Sequence, residues 1–147
     1  MKKIYMDVCC LNRPFDDQTQ DRVRLEAEAI LLILQHFEAK EFQWLKSVVV
    51  DHEIAQTPNL ERRIRVKRLA AGAHKIVKLN DSIIERGEEI KNMGFKTYDA
   101  LHIACAEQGQ ADVFLSTDDK LLKLGARYAK KLKILIQNPL VWLQEVI

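Results

Sequence analysis

The chain has 147 residues, of which 48% are hydrophobic and 30% charged, and its formal net charge is +2. These values are typical of one soluble domain spanning residues 1–147, and so small a net charge does not by itself indicate nucleic acid. No apolar window approaches the about 18 residues of a membrane span, no signal peptide is evident, and three cysteines without CxxC spacing indicate neither zinc nor disulfides, so we expect a cytoplasmic protein with no membrane partner.

Short apolar runs alternate with amphipathic segments along the chain. Strands are predicted at residues 3–7, 46–51, 76–79, 112–116 and 132–136. A long helix is predicted over residues 22–37, because apolar residues recur there at spacings of three and four. This alternation predicts an α/β fold, a three-layer α/β/α sandwich around a mostly parallel sheet of about five strands.

Capping and breaking residues predict the ends of the other helices. Helix starts are predicted at Thr57-Pro58, Ser82, Thr97, Lys120 and Asn138-Pro139, and helix ends at Gly94 and Gly125. The terminal helix is expected to bury Val141, Trp142 and Val146. Extra apolar residues on the helix of residues 22–37, Leu31 and Leu32 among them, suit core packing, a dimer face or a groove for a partner helix.

Four acidic residues stand at the ends of predicted elements. Asp7 and Asp118 each end an apolar run, Glu53 follows the run Val48–Val50, and Asp99 opens a helix. Short right-handed crossovers place successive strand C-termini on one edge of a parallel sheet, where such folds bind ligands. Four carboxylates in one cleft require a cation, so the pattern predicts a divalent-metal site.

The order of these strings resembles the PIN domain family over nearly the whole chain. The matching segments are Ile4–Asp7, Glu53, Thr97–Ala106, Ala111–Asp118 and Gln137–Pro139. The resemblance implies a ribonuclease that uses Mg²⁺ or Mn²⁺ to cleave RNA. For small prokaryotic members it also implies a VapC-like toxin of a type II toxin–antitoxin pair, with a cognate antitoxin as partner, and we expect a homodimer.

The family's catalytic and metal-binding acids, carried over by position, are Asp7, Glu53, Asp99 and Asp118, with Asp119 as the alternative to Asp118. Because Mg²⁺ is usually held directly by one or two carboxylates, Asp7 and Asp99 are the expected direct ligands. Glu53 and Asp118 are expected to hold metal-bound waters or a second ion.

The chain departs from the family just after the first acid, where Val8-Cys9 replace a small polar residue and often an asparagine. Asn12 and Ser116 are the candidates to supply the missing polar group.

Substrate contacts are predicted from residues close to this cleft. The candidate substrate-binding residues are Arg13, Arg62, Arg63 and Ser116. The helix at residues 61–68 carries five positive charges, which suit RNA phosphates and a solvated surface equally well. His102, one turn after Asp99, is interpreted as a structural histidine, and neither it nor His52 is assigned as a metal ligand.

The sequence lacks residues that three other classes of phosphate-binding protein require. A haloacid-dehalogenase-like phosphotransferase needs a second Asp where Cys9 stands, and a receiver domain needs an acidic pair and a late lysine that are missing. Five scattered glycines form no phosphate loop. The remaining alternative is a non-catalytic PIN-like module that binds RNA or a protein, for which a damaged acid set would be the sign.

Overall fold

A computed structural model describes all 147 residues. The strands are β1 (Lys2–Met6), β2 (Phe42–Ser47), β3 (Lys75–Val77), β4 (Val113–Leu115) and β5 (Leu135–Gln137). The helices are α1 (Val8–Asn12), α2 (Asp21–Glu38), α3 (Val48–Ala55), α4 (Leu60–Ala70), α5 (Asp81–Asn92), α6 (Thr97–Gln108), α7 (Asp119–Arg127) and α8 (Pro139–Val146). A short 3-10 helix, Arg13–Phe15, follows α1. No helix combines the length and apolar character that crossing a bilayer demands.

The five strands form one parallel sheet in the order β3-β2-β1-β4-β5. The central strand β1 pairs with β2 on one side and with β4 on the other, so that Tyr5 aligns with Leu45 and with Phe114. Strands buried in the middle of a parallel sheet are apolar on both faces, as Ile4, Tyr5 and Met6 are here. The predicted α/β class and five-stranded parallel sheet are confirmed.

Helices cover both faces of the sheet, which gives the predicted three layers. Trp44 of β2 stacks on Phe37 of α2, with ring centroids 4.9 Å apart. The next residue, Leu45, points to the opposite face, where it packs closely against Gly109 at the end of α6. The α2 and α8 helices therefore form one outer layer, and α5 and α6 form the other.

The prediction of a strand over residues 46–51 is wrong. β2 ends at Ser47, and Val48–Val50 form the first turn of α3. Ser47 caps this helix, since its Oγ accepts a hydrogen bond from the Val49 amide at 3.2 Å. Three consecutive valines favour a strand by propensity, but the cap and the burial of Val49 and Val50 against the core override that preference.

Several predicted helix starts are displaced by one or more residues. Asn59 caps α4 through the Arg62 amide, in place of the predicted Thr57-Pro58, and Asn80 caps α5 in place of Ser82. Thr97 is the first residue of α6 and not its cap, which is Lys96. Asn side chains compete well with Thr and Ser as caps, so the local sequence left more than one solution.

The C-terminal third corrects three further predictions. Gly125 does not end α7, which runs from Asp119 to Arg127, and β5 lies at 135–137 and not at 132–136. Helix α8 buries Trp142, as predicted, but Val141 and Val146 are exposed.

On α2, Leu31 and Leu32 are also exposed, so core packing does not account for them.

Candidate metal centre

The site lies where the chain changes direction across the sheet. From β1 the chain proceeds to β2 on one side, whereas β4 leads to β5 on the other. The C-terminal ends of β1 and β4 lie side by side, with Met6 aligned to Leu115 and the Asp7 amide donating to the Leu115 carbonyl at 2.9 Å. Open parallel sheets bind ligands at such a switch point, because the diverging connections leave a crevice there.

Asp7 follows β1 directly and is almost completely buried, with 5% of its surface exposed. Its Oδ1 accepts a hydrogen bond from the Val8 amide at 2.8 Å, and its Oδ2 accepts from Ser116 Oγ at 2.9 Å and from Cys9 Sγ at 3.3 Å. Burial raises the pKa of Asp7, while His102 and the Ser116 hydroxyl oppose that rise. Ser116 therefore supplies the polar group expected beside the first acid.

Glu53 enters the site from the second turn of α3. Its Oε1 lies 2.9 Å from Nε2 of the fully buried His102. One ligand atom from each of Asp7, Glu53 and His102 lies within 4.8 Å of the others, a spacing that a metal ion can span.

Asp99 occupies the first turn of α6 and is electrostatically coupled to the other acids. Burial, followed by the charges of Asp7, Asp118 and Glu53, raises its pKa to about 7, with His102 opposing the rise. The helix N-terminus favours a carboxylate, yet here repulsion and burial dominate. A cation among these groups would remove that penalty.

The adjacent Asp118 and Asp119 differ in what they contact. Asp118 caps α7, its Oδ1 accepting from the amides of Lys120 at 2.9 Å and Leu121 at 3.3 Å, and its charge acts on Asp99. Asp119 forms two hydrogen bonds with the Arg22 guanidinium, at 2.7 and 2.9 Å, and these lower the pKa of Asp119. This geometry favours Asp118 as the fourth acid of the cluster.

The three predicted arginines have internal partners. Arg13 donates to Glu26 at 2.6 and 2.8 Å, Arg62 donates to Asp16 and to the Phe15 carbonyl at 2.7 Å each, and Arg63 donates to the Thr57 carbonyl at 3.1 Å. Their contact with a substrate stays a prediction.

Asn12 does not take the place of the family's asparagine beside Asp7. Its amide donates to the Val8 carbonyl at 3.1 Å, and its Oδ1 faces Arg62 at 3.3 Å.

Sequence reasoning missed two groups of residues around the site. One is the set of hydrogen bonds from Ser47 to Tyr5 and from Tyr5 to His102 behind Glu53. The other is the buried Glu26, which accepts hydrogen bonds from Arg13, Arg22 and Asn138. A tyrosine inside a buried strand was a usable signal, because its hydroxyl needs a partner. Glu26 had a weaker signal, as an acid on the apolar side of a helix.

The donor chemistry of the cluster suits Mg²⁺ or Mn²⁺. Asp7 and Glu53 each offer a carboxylate oxygen to this cluster, and the charges of Asp7, Glu53 and Asp118 act on Asp99. Hard divalent cations prefer such oxygen ligands.

Comparison with known proteins gives a family and a fold. The model of the PIN domain family matches residues 4–127. No curated protein matches the chain. Similar solved structures include VapBC2 from Rickettsia felis bound to a DNA fragment from its promoter, with a TM-score of 0.57, 11% identity and coverage of 92% of this chain and 98% of the other. VapBC-1 from nontypeable Haemophilus influenzae has a TM-score of 0.57 and 13% identity, with coverage of 93% of this chain and 98% of the other. PAE2754 from Pyrobaculum aerophilum has a TM-score of 0.56 and 16% identity, with coverage of 98% of this chain and 90% of the other.

Proposed function

This chain belongs to the PIN domain family, and we propose that it is a Mg²⁺- or Mn²⁺-dependent endoribonuclease that hydrolyses RNA phosphodiester bonds. The observation that carries the proposal is the grouping of Asp7, Glu53 and His102, whose ligand atoms lie within 4.8 Å of one another at the switch point of the sheet. A complete acid set favours a nuclease over a non-catalytic module, because carboxylates packed against each other are unfavourable unless a cation joins them.

The acids have different proposed roles, because Mg²⁺ is usually held directly by only one or two carboxylates. Asp7 and Asp99 are the proposed direct ligands, and Glu53 and Asp118 orient metal-bound waters or a second ion. When bound, Mg²⁺ or Mn²⁺ supplies Lewis acidity that activates a water and neutralises charge on the leaving oxygen. Ser116 keeps Asp7 in place through its 2.9 Å hydrogen bond.

RNA binding is assigned to Arg13, Arg62 and Arg63, whereas Ser116 is fully buried and its hydroxyl donates to Asp7. Arg63 is the least restrained of the three arginines, because its side chain has one hydrogen bond, whereas Arg13 and Arg62 are each held by an acid. Phosphate contacts dominate sequence-independent affinity and weaken with salt.

The proposed cellular role is that of a VapC-like toxin with an antitoxin protein as partner. The fold likeness to two VapBC structures supports it. A homodimer and a cytoplasmic location belong to the same proposal: exposed Leu31 and Leu32 on α2 suit a protein contact, and three free thiols suit a reducing compartment.

The test is cleavage of a panel of structured and single-stranded RNAs in Mn²⁺, with EDTA and Asp99→Asn as the two inactivating conditions. Asp81→Asn is a matched control, since Asp81 is also an acid in the first turn of a helix but is exposed on α5. We expect cleavage by the wild type and by Asp81→Asn, and none with EDTA or in Asp99→Asn. Absence of cleavage, with RNA binding equal in wild type and Asp99→Asn, would instead establish the non-catalytic module.

A further inference from the structure

A chain of short hydrogen bonds runs through the core to the back of the site. Ser47 Oγ lies 2.6 Å from the Tyr5 hydroxyl, which lies 2.6 Å from His102 Nδ1, and His102 Nε2 lies 2.9 Å from Glu53 Oε1. Ser47, Tyr5 and His102 are all fully buried. The four residues come from β2, β1, α6 and α3, so the chain joins four separate elements at one point.

The chemistry of the groups sets the direction of these hydrogen bonds. A carboxylate only accepts, so His102 Nε2 carries the proton that it donates to Glu53, and in the Nε2–H tautomer Nδ1 accepts. Burial raises the pKa of Tyr5 well above its ordinary value, so the phenol keeps its proton and donates it to Nδ1. Ser47 Oγ already accepts from the Val49 amide and donates to Tyr5.

The Glu53 carboxylate is held in place by this series of hydrogen bonds and by no backbone amide. Backbone amides hold Asp7 and Asp118, whereas the Glu53 carboxylate, on a longer side chain, has one hydrogen bond, the one from His102. That bond restrains Oε1 and leaves Oε2 without a protein partner.

We propose that His102 is a positioning residue, which the Tyr5 hydroxyl holds in the Nε2–H tautomer so that it directs the Glu53 carboxylate toward the metal-bound waters or second ion that Glu53 is proposed to hold. The inference rests on the proposed nuclease function and deepens it. Outer partners of this kind are known to restrain ligand orientation, and their loss typically weakens metal binding about 10- to 100-fold.

The competing role for His102 is direct ligation, since a ring nitrogen lies within 4.8 Å of an oxygen of Asp7 and one of Glu53. Ligation would require Nε2 to lose its proton, so that Nδ1 carried the proton and donated it to Tyr5. The 2.9 Å contact to Glu53 and the preference of Mg²⁺ for oxygen favour positioning.

The tautomer separates these two roles directly. Nitrogen-15 NMR of the histidine rings, with the His102 signals assigned by their loss in His102→Gln, should show the Nε2–H form both in metal-free protein and with Mg²⁺. An Nδ1–H form in the Mg²⁺-loaded protein would overturn the inference and make His102 a ligand.

Two matched substitutions test the role in metal affinity by Mn²⁺ titration calorimetry. His102→Gln places an amide near the former Nε2 position and should keep the affinity within about threefold. His102→Asn places it near Nδ1, away from Glu53, and should weaken affinity about tenfold or more. Tyr5→Phe removes the donor to Nδ1 and should give an intermediate loss.

Thermal melting checks that each variant is folded. If His102→Asn does not fold, the Mn²⁺ affinity of Tyr5→Phe and the NMR tautomer of His102 test the inference. Equal Mn²⁺ affinities in the wild type and in all three variants would overturn the inference about His102. The proposed function is tested separately by Glu53→Gln and Asp99→Asn, and it would still stand if these two variants bound Mn²⁺ more weakly. A wild-type protein that bound no Mn²⁺ would overturn both.

Discussion

At the scale of single residues, the site is a set of acids that resist ionising together. Burial and the neighbouring carboxylates raise the pKa of Asp99 to about 7, and burial raises that of Asp7. A pKa of about 7 for Asp99 means that a cation entering the switch point near neutral pH competes with a proton on that carboxyl. Metal affinity and protonation are consequently linked at this site.

The first prediction concerns the pH dependence of metal binding. Because a pKa of about 7 leaves Asp99 largely protonated at pH 6 and ionised at pH 8, Mn²⁺ affinity should rise at least about tenfold over that range. Calorimetry at pH 6, 7 and 8 measures this, and repeating pH 7 in two buffers of different ionisation enthalpy counts the released protons. Equal affinities at pH 6 and pH 8, with no proton release, would contradict it.

A second prediction separates the adjacent acids after β4. Asp118→Asn keeps a good helix cap but loses the charge that acts on Asp99, so Mn²⁺ affinity should fall with the fold intact. Asp119→Asn should leave the affinity unchanged and lower stability only slightly, because its ion pair with Arg22 is exposed and screened by solvent. Loss of affinity in Asp119→Asn alone would reverse the assignment.

At the scale of elements, helices approach the sheet closely at glycines, because glycine has no side chain. A Cβ on Gly109, at the end of α6, would collide with Leu45 of β2. A Cβ on Gly125, inside α7, would lie 3.0 Å from Cβ of Ile136 in β5. These glycines set the helix-to-strand distance, which explains why Gly125 stands within a helix that it was expected to end.

The third prediction follows for Gly125→Ala. Alanine favours a helix by about 1 kcal/mol over glycine, but the new methyl would meet three atoms of the branched Ile136 side chain, so we expect a net loss of about 1–3 kcal/mol. Gly87→Ala in α5 is the matched control, since its Cβ would meet chiefly the flexible end of Leu101, and its stability should be unchanged or higher. Urea unfolding of both variants gives the comparison, and a stabilised Gly125→Ala would refute the prediction.

At the scale of the whole molecule, the buried Glu26 of α2 joins segments from both ends of the chain. It accepts hydrogen bonds from Arg13, which follows β1, from Arg22 in its own helix, and from Asn138, the cap of α8. Arg22 continues this network to the Thr117 carbonyl and to Asp119, beside the site. One carboxylate thus connects the outer layer of α2 and α8 with the segments that follow β1 and β4.

The fourth prediction is that Glu26→Ala lowers the free energy of unfolding by about 3–5 kcal/mol, because it removes the buried carboxylate that accepts hydrogen bonds from Arg13, Arg22 and Asn138. Glu28→Ala is the control on the same helix, since Glu28 is exposed, and it should change stability by about 0.5 kcal/mol or less. Urea denaturation of both measures the difference. Similar losses in the two variants would show that the network contributes little.

Much of this architecture follows from local pattern. Apolar strings with helical or strand-like spacing predicted five strands and a layered α/β fold, because periodicity reflects which face of an element is buried. Val48–Val50 are the exception: intrinsic preference indicated a strand, and the Ser47 cap decided for a helix. Helix starts shifted for a related reason, since Asn59 and Asn80 capped in place of nearby candidates.

The sequence by itself determined the elements and the acidic residues that stand at their ends, because those properties depend on neighbours within a few positions. Only the tertiary structure decided that Asp119 pairs with Arg22 of α2, and that Tyr5 meets His102 across 97 positions of the chain. Such contacts depend on strand order, register and helix packing. These are set by the burial of the whole core and leave no local spacing for a sequence pattern to reveal.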